Sequence, residues 1–333
     1  MTDFTRRSAL SGAAAAAAAT AIGSGAATAP AQAAAPATGQ QAPGFYRYKV
    51  GSHEVTVVTD GANVMPLPDG FVVNVKKDDV NAALAAAFLE KDKLTIPYSP
   101  IVVNTGAKLI VIDTGTGEAN FERSKGVAGQ FQKNLAASGI DRNAVDTVVI
   151  SHFHGDHVNG LLTADNKPAF PKAEILVPQK EWAFFMDDGE MSRAPQGRMQ
   201  DVFKNARRVF DALGRKVTPY EWDKEVAPGI TAVATVGHTP GHTSYVIASG
   251  SSRLFVQSDV TNVPYLFARN PGWHAIFDQD PKMAEETRRK VYDMVAAEKL
   301  MLQGFHYPFP GVAHLEKDGN GYRVVPAPWS PVI

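Results

Sequence analysis

The stretch Ser151-His152-Phe153-His154-Gly155-Asp156-His157 sets three histidines and one aspartate within six positions, His152 to His157. Imidazole nitrogen and carboxylate oxygen suit zinc and similar divalent ions. Four such groups crowded onto one short segment in an apolar neighbourhood need a common cation to satisfy them. The chemistry expected is therefore metal binding. The preceding Val145-Asp146-Thr147-Val148-Val149-Ile150 reads as a buried strand running straight into the cluster, so the ligands sit at a strand end on a rigid support.

Other segments deliver similar residues in the same way. Gly229 to Val236 reads as a strand and ends in Gly237-His238-Thr239-Pro240-Gly241-His242-Thr243. A hairpin of Ser244 to Ala248 and Leu254 to Gln257 about Gly250-Ser251-Ser252 ends in Ser258-Asp259, and Met301-Leu302-Gln303-Gly304-Phe305 leads into His306. Upstream, Ile101 to Asn104 and Leu109 to Ile112 form a hairpin about Thr105-Gly106 and deliver Asp113. Asp113 either orients a ligand histidine or caps the loop through backbone amides. Glu54 to Thr59 and Glu174 to Val177 complete the strands, with a tight turn at Asp318-Gly319-Asn320-Gly321. Helices are expected over Asp78 to Lys91 (Asp78 near the N-cap; Leu84, Phe88 and Leu89 on one face), Glu122 to Ser138, Gln179 to Asp187, Ser192 to Leu213 and Met283 to Lys299.

At the start of the chain, Thr5-Arg6-Arg7-Ser8 precedes an alanine and glycine run that ends in Ala31-Gln32-Ala33. A basic beginning, a weakly apolar middle and a small-x-small end describe a secretory signal, and the arginine pair points to the twin-arginine route and a periplasmic destination. Residues 1–33 are thus expected to be a signal peptide, 34–43 a linker and 44–333 a single catalytic domain. Charge is nearly balanced, 33 basic against 34 acidic residues, with no long basic run; nucleic acid and anionic membrane are excluded as partners, and the signal is too weakly apolar to hold a bilayer. The absence of cysteine excludes both disulfides and a thiolate nucleophile. A homodimer stays open: Phe45, Tyr46 and Tyr48 can pack across a partner or within their own subunit.

A His-x-His-x-Asp-His cluster, then Gly-His-Thr-Pro-Gly-His, then an aspartate after a strand, then a late histidine resembles the metallo-β-lactamase-fold hydrolases from about residue 45 to the end. Ala42-Pro43-Gly44-Phe45-Tyr46, Pro178-Gln179-Lys180-Glu181, the 237–243 segment and His306-Tyr307-Pro308-Phe309-Pro310-Gly311 look most like the methyl parathion hydrolase and aryl-lactonase group. The resemblance implies an α+β chain folded as a four-layer αβ/βα sandwich, two mixed sheets face to face with helices outside and the metals at one sheet edge. It puts one metal on His152, His154 and His238, the other on Asp156, His157 and His306, with Asp259 bridging. His242 is expected just outside the ligands, as Asp113 is in one of its readings. Ser258 departs from the glycine that relatives commonly place before the bridging aspartate.

Two divalent ions, zinc before manganese, cobalt or iron, would lower the pKa of a bridging water from ~15.7 towards ~7 and make hydroxide available. That hydroxide would attack an acyl carbon or phosphorus, with Asp259, or after it Asp156, moving the proton. Trp182, Phe184, Phe185, Phe267 and Trp273 lie in stretches that border the site in related enzymes, so a small, uncharged, fairly apolar substrate is expected. A lactone or aryl ester ranks first, a phosphotriester second and a β-lactam third, since the common dizinc β-lactamases carry cysteine at the place of Asp259. An iron oxidoreductase of the same fold and a non-catalytic metal binder are the readings from other classes. The lack of an added flavin or rubredoxin-like segment weighs against the former and the complete ligand set against the latter. His53, His274 and His314 are left to ordinary structural roles, the last two with a place in the pocket as the alternative.

Overall fold

The computed structural model describes residue 39 and residues 41–333. The signal expected over 1–33 and most of the linker expected over 34–43 lie outside the described residues.

β1 (Phe45–Val50) and β2 (His53–Val58) pair antiparallel; β3 (Gly61–Pro66) and β4 (Lys93–Tyr98) form a separate two-stranded ribbon with helix α1 (Lys77–Ala86) between them in sequence. β5 (Ile101–Asn104) and β6 (Leu109–Ile112) are the expected hairpin. Short helices α2 (Ala119–Arg123) and α3 (Phe131–Ala137) lead to β7 (Thr147–Val149), and α4 (Gly155–Val158) follows it. β8 (Glu174–Pro178) runs directly into α5 (Gln179–Met186), then α6 (Asp188–Arg193), α7 (Arg198–Ala212) and β9 (Thr218–Tyr220). One seven-stranded sheet results, in the order β1-β2-β5-β6-β7-β8-β9, antiparallel up to β6 and parallel from there on.

The second seven-stranded sheet is built in chain order from β10 (Glu225–Ala227), β11 (Ile230–Ala234), β12 (Thr243–Ser249), β13 (Ser252–Ser258), β14 (Met301–Gly304), β15 (Val312–Asp318) and β16 (Gly321–Pro326). Only β13 and β14 pair parallel, and the crossover between them holds α8 (Pro264–Phe267) and α9 (Pro281–Ala297).

Strand periodicity explains the layering. Val55, Val57, Ile101, Val103, Ile110, Ile112, Val149 and Leu176 point inward against Ile230, Ala232, Tyr245, Ile247, Leu254 and Val256 of the other sheet. Their alternates Val58, Val102, Val111, Val148, Ile175 and Val177 point outward against Phe131, Leu135, Phe185, Phe203, Ala206, Val209 and Phe210 of the covering helices. A strand buried on both faces reads as a continuous apolar run, as these do. On the far side Phe255, Leu302 and Leu315 meet Val291, Tyr292 and Val295 of α9. Helix, sheet, sheet, helix is the four-layer sandwich expected.

Three expected helices are shorter or broken. The 122–138 segment divides into α2 and α3 because Lys125, Gly126 and Gly129 take positive φ (55°, 80° and 79°). The 192–213 segment breaks at Pro195 and at Gly197, whose φ is 89°. Helix α1 stops at Ala86 with Lys76, not Asp78, at its N-cap. Phe88 therefore leaves the buried face, at φ 60° and 99 % exposed, while Leu84 stays in the core.

Candidate metal centre

β7 ends at Val149, and within five residues the chain delivers His152 and His154, then Asp156 and His157 in the single-turn helix α4. β11 leads to His238, β13 to Asp259 and β14 to His306. All seven converge, although they come from two sheets. His152 Nε2 lies 3.1 Å and His238 Nε2 2.9 Å from His154 Nδ1. Asp259 reaches His306 Nε2 at 2.9 Å, His157 Nε2 at 3.2 Å and His238 Nε2 at 3.4 Å, while Asp156 lies 3.5 Å from His306 Nε2 and 3.7 Å from His157 Nε2. Three ligand groupings follow: His152, His154 and His238; His152, His157 and Asp259; Asp156, His157 and His306.

Four of the five imidazoles are oriented from behind. His157 Nδ1 meets Asp113 Oδ2 at 2.9 Å and His238 Nδ1 meets Asp278 Oδ1 at 2.9 Å. His306 Nδ1 donates to the Pro97 carbonyl at 2.8 Å, and His152 Nδ1 lies 3.0 Å from Ser151 Oγ, whose hydroxyl donates to Asp113 Oδ2 at 2.8 Å. With Nδ1 engaged behind, the Nε2 atoms of these four rings all face the centre, where a cation would take the place of any Nε2 proton. Asp113 does both things left open for it: it orients His157, and its Oδ1 accepts the Ser151 amide at 2.8 Å. It adopts φ 59° to do so.

The donor set fits divalent cations. His157 Nε2 and Asp259 Oδ1 are buried and make no hydrogen bond despite their 3.2 Å separation. Burial holds the pKa of His152 and of His154 well below the ordinary imidazole value, keeping both neutral and able to ligate. Burial also depresses His157, but Asp259, Asp113 and Asp156 outweigh it and lift the ring well above its usual range; that negative potential is what a cation would meet. His242 has no lone pair to spare. Its Nδ1 donates to the Thr235 carbonyl at 2.9 Å, and its Nε2 accepts the Asp259 amide at 3.0 Å, while burial lowers its pKa to about 3. Ser258, at the position where the resemblance leads one to expect glycine, sits at φ 51°, a left-handed conformation that glycine adopts without a Cβ penalty.

A cavity of about 370 Å³ opens over His154, Asp156, His238, Asp259 and His306, and its walls are mostly polar: Asn63, Thr116, Asn120, Arg123, Arg198 and Asn262, with Ile96, Tyr98, Val202 and Phe277. Of the five aromatics expected here, Phe184 lines a groove that adjoins this cavity at His154, and the other four are elsewhere. Phe185 is fully buried under the first sheet against Phe153 and Phe203, and Trp182 packs edge-on against Phe210. Phe267 is fully buried beside Phe71, and Trp273 packs against that same cluster. The reason is helical phase: α5 turns Trp182 and Phe185 down onto the sheet, so nearness in sequence to the site did not become a place on its wall. The expectation that Trp182, Phe185, Phe267 and Trp273 line the pocket is therefore corrected. His274, paired with Glu285 at 2.8 Å, and His314 in β15 do not line the cavity either; His53 is half-buried in β2.

Three side chains around the ligands escaped notice in the sequence. Asp278 backs His238 and is itself held by the buried Arg288, whose Nη2 lies 3.2 Å from Asp278 Oδ2. Glu181, known only as part of a resembling tetrapeptide, is fully buried between two ligand loops. None has a local signature, because each acts across long sequence separation.

The description of the metallo-beta-lactamase superfamily matches residues 97–287. The N-acyl homoserine lactonase AiiA of Bacillus thuringiensis subsp. kurstaki is 25 % identical over 244 residues, 66 % of this chain and 83 % of that protein. The crystal structure of hydrolase AbOPH, in the beta lactamase superfamily, is 26 % identical with a TM-score of 0.80, over 87 % of this chain and all of that one. AidC, a dizinc quorum-quenching lactonase solved with a product, N-hexanoyl-L-homoserine, shares the fold with a TM-score of 0.79 at 24 % identity, over 86 % of this chain and 98 % of that one.

Proposed function

Because this chain belongs to the metallo-beta-lactamase superfamily, we propose that it is a binuclear metal-dependent hydrolase acting on lactones, and on aryl esters as their open-chain analogues. The observation that carries this reading is the convergence of four Nε2 atoms, His154 Nδ1 and two carboxylates at and just beneath the floor of one cavity. His152, His154 and His238 would hold one ion, Asp156, His157 and His306 the other, and Asp259 would bridge them. Bound there, two divalent cations, zinc first among them, supply Lewis acidity and a water that ionises near neutral pH.

The chain's own groups then orient and shuttle. Asp259 faces the cavity and is the carboxylate expected to move the proton towards the leaving oxygen, with Asp156 beside it as the alternative. Asn63, Asn120, Arg123 and Arg198 offer donors to a polar, acceptor-bearing head group. Next to them, sharing His154, Arg198, Val202 and Phe277, runs a groove of about 560 Å³ lined by Phe184, Met199, Phe203 and Ile276, which suits an apolar tail. Acyl homoserine lactones combine such a head and tail, and the names of two relatives point the same way. Phosphotriesters remain the second reading, supported by the motifs at 237–243 and 306–311 that resemble the methyl parathion hydrolase group.

The test is direct. Purified protein should carry two equivalents of divalent metal and open N-hexanoyl homoserine lactone faster than it cleaves a nitrophenyl phosphotriester, with both activities lost in chelator. Hydrolysis that survives metal removal sinks the reading; faster phosphotriester turnover reverses the ranking. Export by the twin-arginine route is proposed from Arg6 and Arg7, and unchanged export after replacing both with lysine refutes it.

A further inference from the structure

Glu181 lies outside the proposed ligand set, yet it is 0 % exposed and each of its carboxylate oxygens is engaged. Oε1 accepts the Phe153 amide at 3.0 Å; Oε2 accepts the Thr239 hydroxyl at 2.9 Å and the Gly241 amide at 2.8 Å. Phe153 stands between His152 and His154, and Thr239 follows His238. One side chain at the start of α5 thus spans the ligand loop after β7 in the first sheet and the ligand loop after β11 in the second. The second loop closes against the same helix: a Cβ on Gly241 would come within 2.1 Å of the Glu181 amide nitrogen. Burial pushes the Glu181 carboxyl up to about 7 against the pull of its three donors. A buried carboxylate is costly when any lone pair goes unmet, so keeping it satisfied requires both loops to stay where they are.

We propose that Glu181 is a positioning residue for one metal: a strut across the two sheets that sets the spacing of His152 and His154 from His238. The inference rests on the reading that those three histidines hold an ion. Glutamine keeps the shape of the strut, but it can accept through one atom only and turns an amide donor toward Gly241 and Thr239, or toward Phe153. Losing a group that orients metal ligands typically weakens metal affinity by about 10–100-fold.

The experiment is cobalt titration of the full chain, wild type against Glu181→Gln, with metal analysis, the visible cobalt spectrum and thermal unfolding recorded on each. The expected result is that one cobalt binds as in wild type while the other binds about 10–100-fold more weakly with an altered spectrum, and that kcat falls more than KM changes. Thr239→Val removes one of the three bonds and leaves Glu181 in place. It should shift the same ion by about fivefold, the scale of one hydrogen bond, and it serves if the glutamine variant does not fold. Wild-type affinity and spectrum for both ions in these variants overturn the strut. Equal weakening of both ions in step with thermal stability also overturns it, because that is a general structural effect. A wild-type chain that binds no cobalt removes the metal centre itself, and the strut with it.

Discussion

At the floor of the cavity and just beneath it, the imidazoles of His152, His157, His238 and His306 each have a partner behind them, whether Asp113, Asp278, the Pro97 carbonyl or Ser151. Along its walls Thr116 donates its amide and hydroxyl to Asp60 at 2.8 and 2.7 Å, but other polar groups are held lightly. Arg198 donates to one backbone carbonyl, that of Ile276 at 2.6 Å, and lies over the Phe277 ring at 4.4 Å; the Oδ1 of Asn262 has no partner at all. The floor is over-determined and the wall is not. A hydrogen-bonded floor tolerates little change in residue type, because a buried polar group that loses its partner pays the full desolvation cost. Exposed wall side chains such as Asn63, Arg123 and Arg198 can change without unfolding anything, which is how one set of ligands serves different substrates.

Four experiments press on this contrast. The largest effect should come from the floor itself: Asp259→Ala should lose at least one metal equivalent and drop kcat/KM by about 10³-fold or more, read by metal analysis and steady-state kinetics. Near-normal metal content and rate would mean that the bridge lies elsewhere. Next, Phe185→Ala separates core from wall. Fully buried beneath the sheet, it should cost about 3–5 kcal/mol in denaturant unfolding while KM for any substrate stays nearly constant. A changed substrate preference without lost stability would restore Phe185 to the pocket.

Asp278→Asn tests whether the support behind the floor matters as much as the ligands. The amide cannot replace the carboxylate between His238 and Arg288, and metal affinity should fall by about 10–100-fold with the fold intact. Smallest is the wall: Arg198→Met should raise KM by about tenfold with kcat little altered, the mark of a group that binds substrate and transition state alike. A collapse of kcat instead would move Arg198 from the wall into the chemistry.

Much of this is legible in the sequence. The cluster at 152–157, the strand before it and the hairpins that deliver Asp113 and Asp259 all stand in the structure as read, because local pattern and turn chemistry specify them. The β3–β4 ribbon was missed although it brings Asn63, Ile96 and Tyr98 to the cavity. Pro66 and Pro97 interrupt the two runs, and proline normally argues against a strand except at an edge, which is where a two-stranded ribbon puts it. The pocket aromatics failed for a different reason. Nearness in sequence says nothing about which face of α5 meets the sheet, and Trp182 and Phe185 took the buried face.

By itself the sequence determined that this chain presents metal-binding residues at strand ends, and in what order, because ligand type and strand period are local properties of neighbouring residues. Only the tertiary structure decided that Asp278, Arg288 and Glu181 stand behind those ligands and that mostly polar side chains, with Tyr98 and Phe277 in place of the expected aromatics, surround the opening. Those facts depend on contacts between residues 10 to 60 positions apart and on a wall drawn from Asn63 to Phe277, which no spacing rule records and which the packing of the two sheets brings together.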